Sequence, residues 1–95
     1  MSYQLIVTAT AEQHVLDACL YYEEQQLGLS ERFLSELHTA YTKIAEHPEY
    51  YGYISSGNEY RDIKLHKFPY VVIYETWNDK VIVIAVFNTY RKPVY

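Results

Sequence analysis

The apolar positions of this chain change period once, near its middle, and the change predicts helices before it and strands after it. Residues 3–7 alternate loosely and are rich in strand formers, which predicts a short opening strand. Thr8 or Thr10 can cap a first helix, and Thr10 with Gln13 three residues on matches a capping box. Ala11, Val15, Ala18, Cys19 and Tyr22 then recur with the spacing of one helix face, and this helix should fade near Gln26, before Gly28. Ser30 can cap a second helix, on which Phe33, Leu37, Ala40, Tyr41 and Ile44 repeat the same spacing. Pro48 should end it, because its ring restricts His47 and removes a backbone donor. Beyond that point the period becomes two. Residues 60–65 read as a strand with Arg61, Ile63 and Leu65 on one face and Tyr60, Asp62 and Lys64 on the other. Residues 66–69 make a tight connection. Residues 70–74 and 81–87 are near-continuous strand formers, the pattern of central strands covered on much of both faces. Asn78-Asp79 stands where a hairpin needs residues that tolerate positive φ. The expected fold is α+β, a two-layer sandwich in the order β-α-α-β-β-β. An antiparallel helical hairpin packs on a small, mainly antiparallel sheet, with the first strand placed beside the last.

Composition narrows the class. The 95 residues are 49% hydrophobic and 21% charged, as in an ordinary globular protein, and predict one domain over residues 1–95. Cys19 is the only cysteine, so there is neither an intramolecular disulfide nor a cysteine cluster for zinc. The longest purely apolar run has seven residues, far below the roughly 20 of a membrane span. No basic segment followed by an apolar stretch opens the chain, so a cytoplasmic location is expected. The net charge of −4 argues at first against a nucleic-acid partner, but it is unevenly spread. Residues 1–57 carry a net −6 and residues 58–95 a net +2, so an acidic first half precedes a mildly basic second half. Twelve tyrosines are also far more than a chain of this length usually holds. Tyr22, Tyr41, Tyr70 and Tyr74 fit core or core-edge positions. Tyr50, Tyr51 and Tyr53 can pack the layers, line a binding groove or form a self-association patch, with packing preferred for at least one of them.

The common catalytic templates are missing: no Gly-rich phosphate loop, no G-x-S-x-G and no paired histidines at metal spacing. His14 and His38 fall off the apolar helix faces and read as exposed, His47 as a cap of the second helix, and Cys19 as a small core hydrophobe. Adjacent Glu23 and Glu24 read as the solvated end of an acidic helix rather than as paired catalytic carboxylates. The stronger group lies in the second half. Arg61, Lys64 and Lys67 line the first strand of the meander and its turn, while Asn88, Tyr90, Arg91 and Lys92 follow the last strand. In a three-stranded meander the first and third strands run parallel, so the tail emerges at the end of the Lys64–Lys67 turn. Cations and phenols converging there can grip phosphates, stack bases or support cleavage at a ribose 2′-hydroxyl. Against this, Lys64 and Lys67 can be charges that protect an edge strand. No cofactor or metal is implied.

The ordered set Tyr60-Arg61-x-Ile63-x-Leu65, residues 67–74 as Lys-Phe-Pro-Tyr-Val-Val-Ile-Tyr, and residues 83–91 as Val-Ile-Ala-Val-Phe-Asn-Thr-Tyr-Arg before Pro93 resembles the RelE/ParE superfamily of type II toxins, also called plasmid stabilisation proteins. In the first half, Thr8, Tyr21-Tyr22-Glu23, Gly28-Leu29, Arg32-Phe33 and His47-Pro48 agree with it. The resemblance implies the same two-layer fold and a toxin neutralised by a cognate antitoxin. The expected target is either DNA gyrase, blocked without chemistry, or mRNA on the ribosome, cut by an endonuclease. It points to Arg61, Tyr90 and Arg91 as candidate catalytic residues, and to Lys64, Lys67, Asn88 and Lys92 as candidate contacts to a nucleic acid or other target. Nuclease members often carry His where this chain has Asn88, and Arg where it has Val71. The gyrase-type reading therefore leads, the ribosome-dependent endonuclease comes second, and a non-toxic interaction module is third.

Overall fold

The structure is a computed structural model that describes residues 2–54, 57 and 59–90. Along the chain come β1 (Gln4–Val7), α1 (Ala9–Gln25), α2 (Leu29–Glu46), a 3-10 turn (Pro48–Tyr50), β2 (Arg61–Lys64), β3 (Tyr70–Trp77) and β4 (Lys80–Asn88). The four strands form one mixed sheet in the order β1-β4-β3-β2. β2, β3 and β4 are the expected antiparallel meander, and β1 lies parallel to β4, with Gln4 opposite Lys80 and Val7 opposite Val83. Strand placement beside the last strand is thus as expected. Asn78 takes a φ of +55° at the β3–β4 turn, the conformation asparagine tolerates better than most residues.

The core lies between the helices and the sheet. Phe33, Leu37, Ala40 and Ile44 of α2 and Ala11, Ala18 and Tyr22 of α1 are buried against Ile63, Val72, Tyr74, Val81, Val83 and Val86. Tyr22, Phe33, Phe68 and Tyr70 meet there at ring separations of 4.9 to 5.9 Å, mostly edge to face, the geometry the aromatic quadrupole favours. On the opposite face of the sheet Val71, Ile73 and Ala85 are also buried, with Ile54, Tyr60, Ile84 and Phe87 packed against them. Burial on both faces explains why β3 and β4 read as continuous apolar runs rather than alternating ones. Between Ile73 and Tyr74 the register shifts so that Ile84 is the extra residue of a bulge in β4.

The start of α1 takes the first of its two expected caps without the expected capping box, and the start of α2 corrects the expectation. Thr8, not Thr10, caps α1: its Oγ1 accepts from the Ala11 amide at 3.2 Å, and Thr10 lies inside the first turn, so no Thr10–Gln13 capping box forms. The N-cap of α2 is Gly28, in the left-handed region at φ +87°, a conformation that costs glycine little. Ser30 is one residue into the helix. The capping group is instead the Glu23 carboxylate, which accepts from the Gly28 amide at 3.0 Å, the Ser30 amide at 3.2 Å and the Ser30 hydroxyl at 2.6 Å. These three donors, the Ser30 hydroxyl first, hold its pKa below the ordinary carboxylate value, while partial desolvation opposes them. A residue that reads as solvated therefore ties the end of α1 to the start of α2.

His14 is a second correction. It is half-buried, and its Nδ1 accepts from the Val86 amide at 3.2 Å. β1 stops at Val7, so the C-terminal part of β4 has no strand on that side, and the imidazole takes the hydrogen bond a longer β1 would have made.

Candidate functional site

The sheet end at which β4 finishes brings together most of the candidate residues. Asn88 pairs with Tyr70 at the start of β3, and Lys64 pairs with Val71 next to it. The Thr89 amide and hydroxyl both donate to the Pro69 carbonyl, at 2.7 and 3.2 Å, which pins the chain leaving β4 against the 66–69 connection. Lys64 and Lys67 are exposed there. The Lys67 amide donates to Glu36 of α2 at 3.0 Å, so the turn is anchored through its backbone while its ammonium group faces solvent. The Asn88 side-chain oxygen accepts from the Tyr90 amide at 2.8 Å, a local turn that sets the direction of the chain at Tyr90. Tyr90 is 86% exposed, so the residue is largely open to solvent. Arg91 and Lys92 lie outside the described residues.

Arg61 stands apart. It pairs with Tyr74, three residues along β2 from Lys64, or about 10 Å at the usual strand rise. Its guanidinium donates to the carbonyls of Glu49 and Tyr51 and to the Tyr53 hydroxyl, and lies 3.9 Å from the centre of the Tyr53 ring. Here it fastens the segment after α2 to the edge of the sheet. Tyr74 assists from the core, donating to the Pro48 carbonyl at 2.6 Å. Of the three neighbouring tyrosines, Tyr51 packs against the core, Tyr53 lies under Arg61 and Tyr50 is largely exposed.

His66 also belongs to this end, exposed beside Lys67, and the sequence reasoning above missed it. Its position between two lysines in the connection is the signal that could have found it. Beside it, a groove of about 660 Å³ runs between α2 and the outer edge of β2, lined among others by Glu36, Lys43, Asp62, Lys64 and His66. Burial raises the Asp62 pKa above the ordinary value, with Lys64 opposing. The groove is therefore mixed in charge, whereas the sheet end carries cations, an imidazole and a phenol. Among the described residues no cluster of three His, Cys, Asp or Glu could hold a metal ion, and no helix is long and apolar enough to cross a membrane.

Comparisons with known proteins bear on the family and the fold. The family model for the ParE toxin of the type II toxin-antitoxin system, parDE, matches residues 5–93. A search of curated proteins finds no match. Among solved structures, a chain of the chromosomal ParDE TA system from P. aeruginosa superposes with a TM-score of 0.80, covering 92% of this chain and 96% of that one at 10% identity. At that identity the superposition speaks for the fold, and the family model speaks for descent. From the match over residues 5–93 together with the fold described above, this chain belongs to the ParE toxin family, within the RelE/ParE superfamily of type II toxins.

Proposed function

We propose that this chain arrests growth by binding DNA gyrase, or an equivalent essential target, without bond-breaking chemistry of its own. In this reading a cognate antitoxin neutralises it in the cytoplasm by forming a toxin–antitoxin hetero-oligomer, and residues 1–95 act as one toxin domain. The observation that carries the reading is Val71. At the strand position where nuclease relatives often hold an arginine, this chain buries a valine at 5% exposure among Ile73 and Ala85. Asn88 adds to it: an amide cannot exchange a proton near neutral pH, and its oxygen is already engaged by the Tyr90 amide. The overall acidity supports a protein target, because affinity for RNA comes largely from neutralising phosphates. The target-binding face would comprise Tyr90, Lys64, Lys67 and Asn88, continued by Arg91 and Lys92.

Expression of the chain without antitoxin tests the reading, with plasmid topology and translated mRNA followed together. Growth arrest with loss of negative supercoiling and intact messages is expected. Intact supercoiling throughout the arrest would overturn gyrase as the target. A second reading, ribosome-dependent mRNA cleavage, draws on one feature, His66 beside Lys64 and Lys67, which supplies a titratable group where Asn88 does not. Primer extension would then reveal cuts within translated codons, abolished in His66→Ala and Tyr90→Phe.

A further inference from the structure

β4 is flanked on both sides at first and on one side later. Up to Val83 it lies between β1 and β3, but β1 ends at Val7, so residues 84–88 have β3 alone beside them. The same stretch opens on the bulge at Ile84, where the register with β3 has just shifted. Parity decides which backbone groups face the open side. The Thr89 amide donates to Pro69, on the β3 side, so residues 85 and 87 turn the same way, and Val86 and Asn88 turn outward. The Val86 amide meets Nδ1 of His14 at 3.2 Å, while its own side chain is buried in the core. His14 thus holds the first outward amide after the bulge. Two residues on, the Asn88 side chain accepts from the Tyr90 amide, and Pro69 holds Thr89 from the other side. Asn88 and Tyr90 leave a strand end that is clamped between Pro69 and His14.

A ring nitrogen that accepts a hydrogen bond is unprotonated, so His14 in this arrangement is neutral and carries its proton on Nε2. The imidazolium has an N–H at both positions. Its Nδ1–H would point at the Val86 N–H, donor against donor, and the bond is lost. β4 offers the ring no counter-charge, because residues 81–88 hold no titratable side chain, and residues 4–8 hold none either. α2 is turned away from it: Glu12 acts on Tyr41 of α2, and His14, two residues on, stands about 200° round the helix. On its own side of α1, among the described residues, the charged neighbour is Asp17, one turn on, whose carboxylate accepts from Gln13 at 2.9 Å, with Tyr21 one turn further. Asp17 is exposed. Protonation therefore breaks the bond to the strand and draws the ring toward a carboxylate on the solvent side.

We propose that His14 is a positioning residue for the target-binding face, holding the Asn88–Tyr90 end of β4 only while its imidazole is neutral. Acidification through the window of roughly pH 8 to 5 in which histidines titrate releases that end and weakens the toxin, while the core between helices and sheet stays in place. The use of this end for target binding rests on the function proposed above. The coupling of His14 to Tyr90 rests on the geometry of β4 alone.

Nuclear magnetic resonance and a gyrase supercoiling assay, both on the full chain, test it together. At about pH 8, above the histidine window, the His14 ring nitrogens should show the neutral form protonated on Nε2. On acidification the Val86, Asn88 and Tyr90 amides should shift with the same midpoint as the His14 ring, while the Ile63 and Val72 amides of β2 and β3 stay put. In the supercoiling assay His14→Phe removes the acceptor and should inhibit about fivefold more weakly at neutral pH, the effect of losing one neutral hydrogen bond. His14→Asn places an oxygen that does not titrate near the Nδ1 position. Measured against His14→Asn at each pH, which cancels the response of gyrase itself, wild type should lose up to about fivefold in inhibition as the solution is acidified. A ring protonated on Nδ1 above the window, or Val86 and Tyr90 amides indifferent to the His14 titration, would overturn the proposal whatever the target is. So would a pH response that His14→Asn shares with wild type. Lack of inhibition by wild type at every pH would remove gyrase as the target, and the resonance measurements would still decide the role of His14.

Discussion

Arg61 shows how one residue can satisfy a functional pattern and a structural one at once. Its fork reaches two carbonyls and a phenol of the segment after α2, and its flat face stacks on Tyr53. Lysine has the charge but not the planar fork, so Arg61→Lys should not restore what Arg61→Ala loses. Both variants should cost about 1–2 kcal/mol in urea unfolding and should open the 49–53 segment to limited proteolysis. Wild-type resistance to proteolysis in Arg61→Ala would remove the structural role. Tyr41 is the opposite case. Its buried hydroxyl has no hydrogen-bond partner among the described residues, and burial, with Glu12 adding, pushes its pKa up to about 12. Tyr41→Phe deletes the unpaired group and keeps the ring, so it should be neutral or stabilise by up to about 1 kcal/mol. A clear loss of stability would mean that the hydroxyl is satisfied. Neither role could be read in the sequence. Arg61 was legible as a strand residue of the right type, but its partners lie in a connection with no periodic pattern. Tyr41 was legible as a core-edge ring, whereas the fate of its hydroxyl depends on how closely two helices approach.

At the scale of elements, the periodic parts were legible and the joints were not. The helix faces, the meander and the Asn78-Asp79 turn arise from spacing, and each is where the spacing put it. β1 lies beside β4 as expected, although periodicity alone does not fix that placement. The cap of α2 and the bond of His14 escaped because they depend on contacts across a joint. Glu23 reaches Ser30, seven residues on, and His14 reaches Val86, 72 residues on, so no local motif announces either. The Glu23 cap carries a pH signature. Its carboxyl has a lower pKa folded than unfolded, because the Ser30 hydroxyl and two backbone amides donate to the charged form. Its stabilising effect is therefore present above the unfolded value and is lost as pH falls through the folded value. Glu23→Gln should accordingly be less stable than wild type at neutral pH, and the gap should close in acid. A gap independent of pH between neutral and strongly acid solution would show that the charge contributes nothing.

Across the whole molecule, charge and fold divide the chain in the same place. The acidic first half supplies the helical layer and the uncharged strand β1, and the mildly basic second half supplies the rest of the sheet and its tail. The net charge of −4 is therefore no guide to either face taken singly. Convergence of Lys64, Lys67, Asn88 and Tyr90 at one sheet end was legible, because strand parity in a meander decides it. The position of Arg61 away from that end was legible only in part, since register gives its distance but not its engagement with Tyr51 and Tyr53. In the proposed function Tyr90 is the exposed tip of a target-binding face that performs no chemistry. The most direct test is a supercoiling assay with purified gyrase, relaxed plasmid and ATP, comparing wild type with Tyr90→Ala. Micromolar wild type should inhibit, antitoxin should relieve the inhibition, and Tyr90→Ala should inhibit at least about tenfold more weakly with an unmoved thermal midpoint. Undiminished supercoiling at micromolar wild-type protein would contradict the proposal.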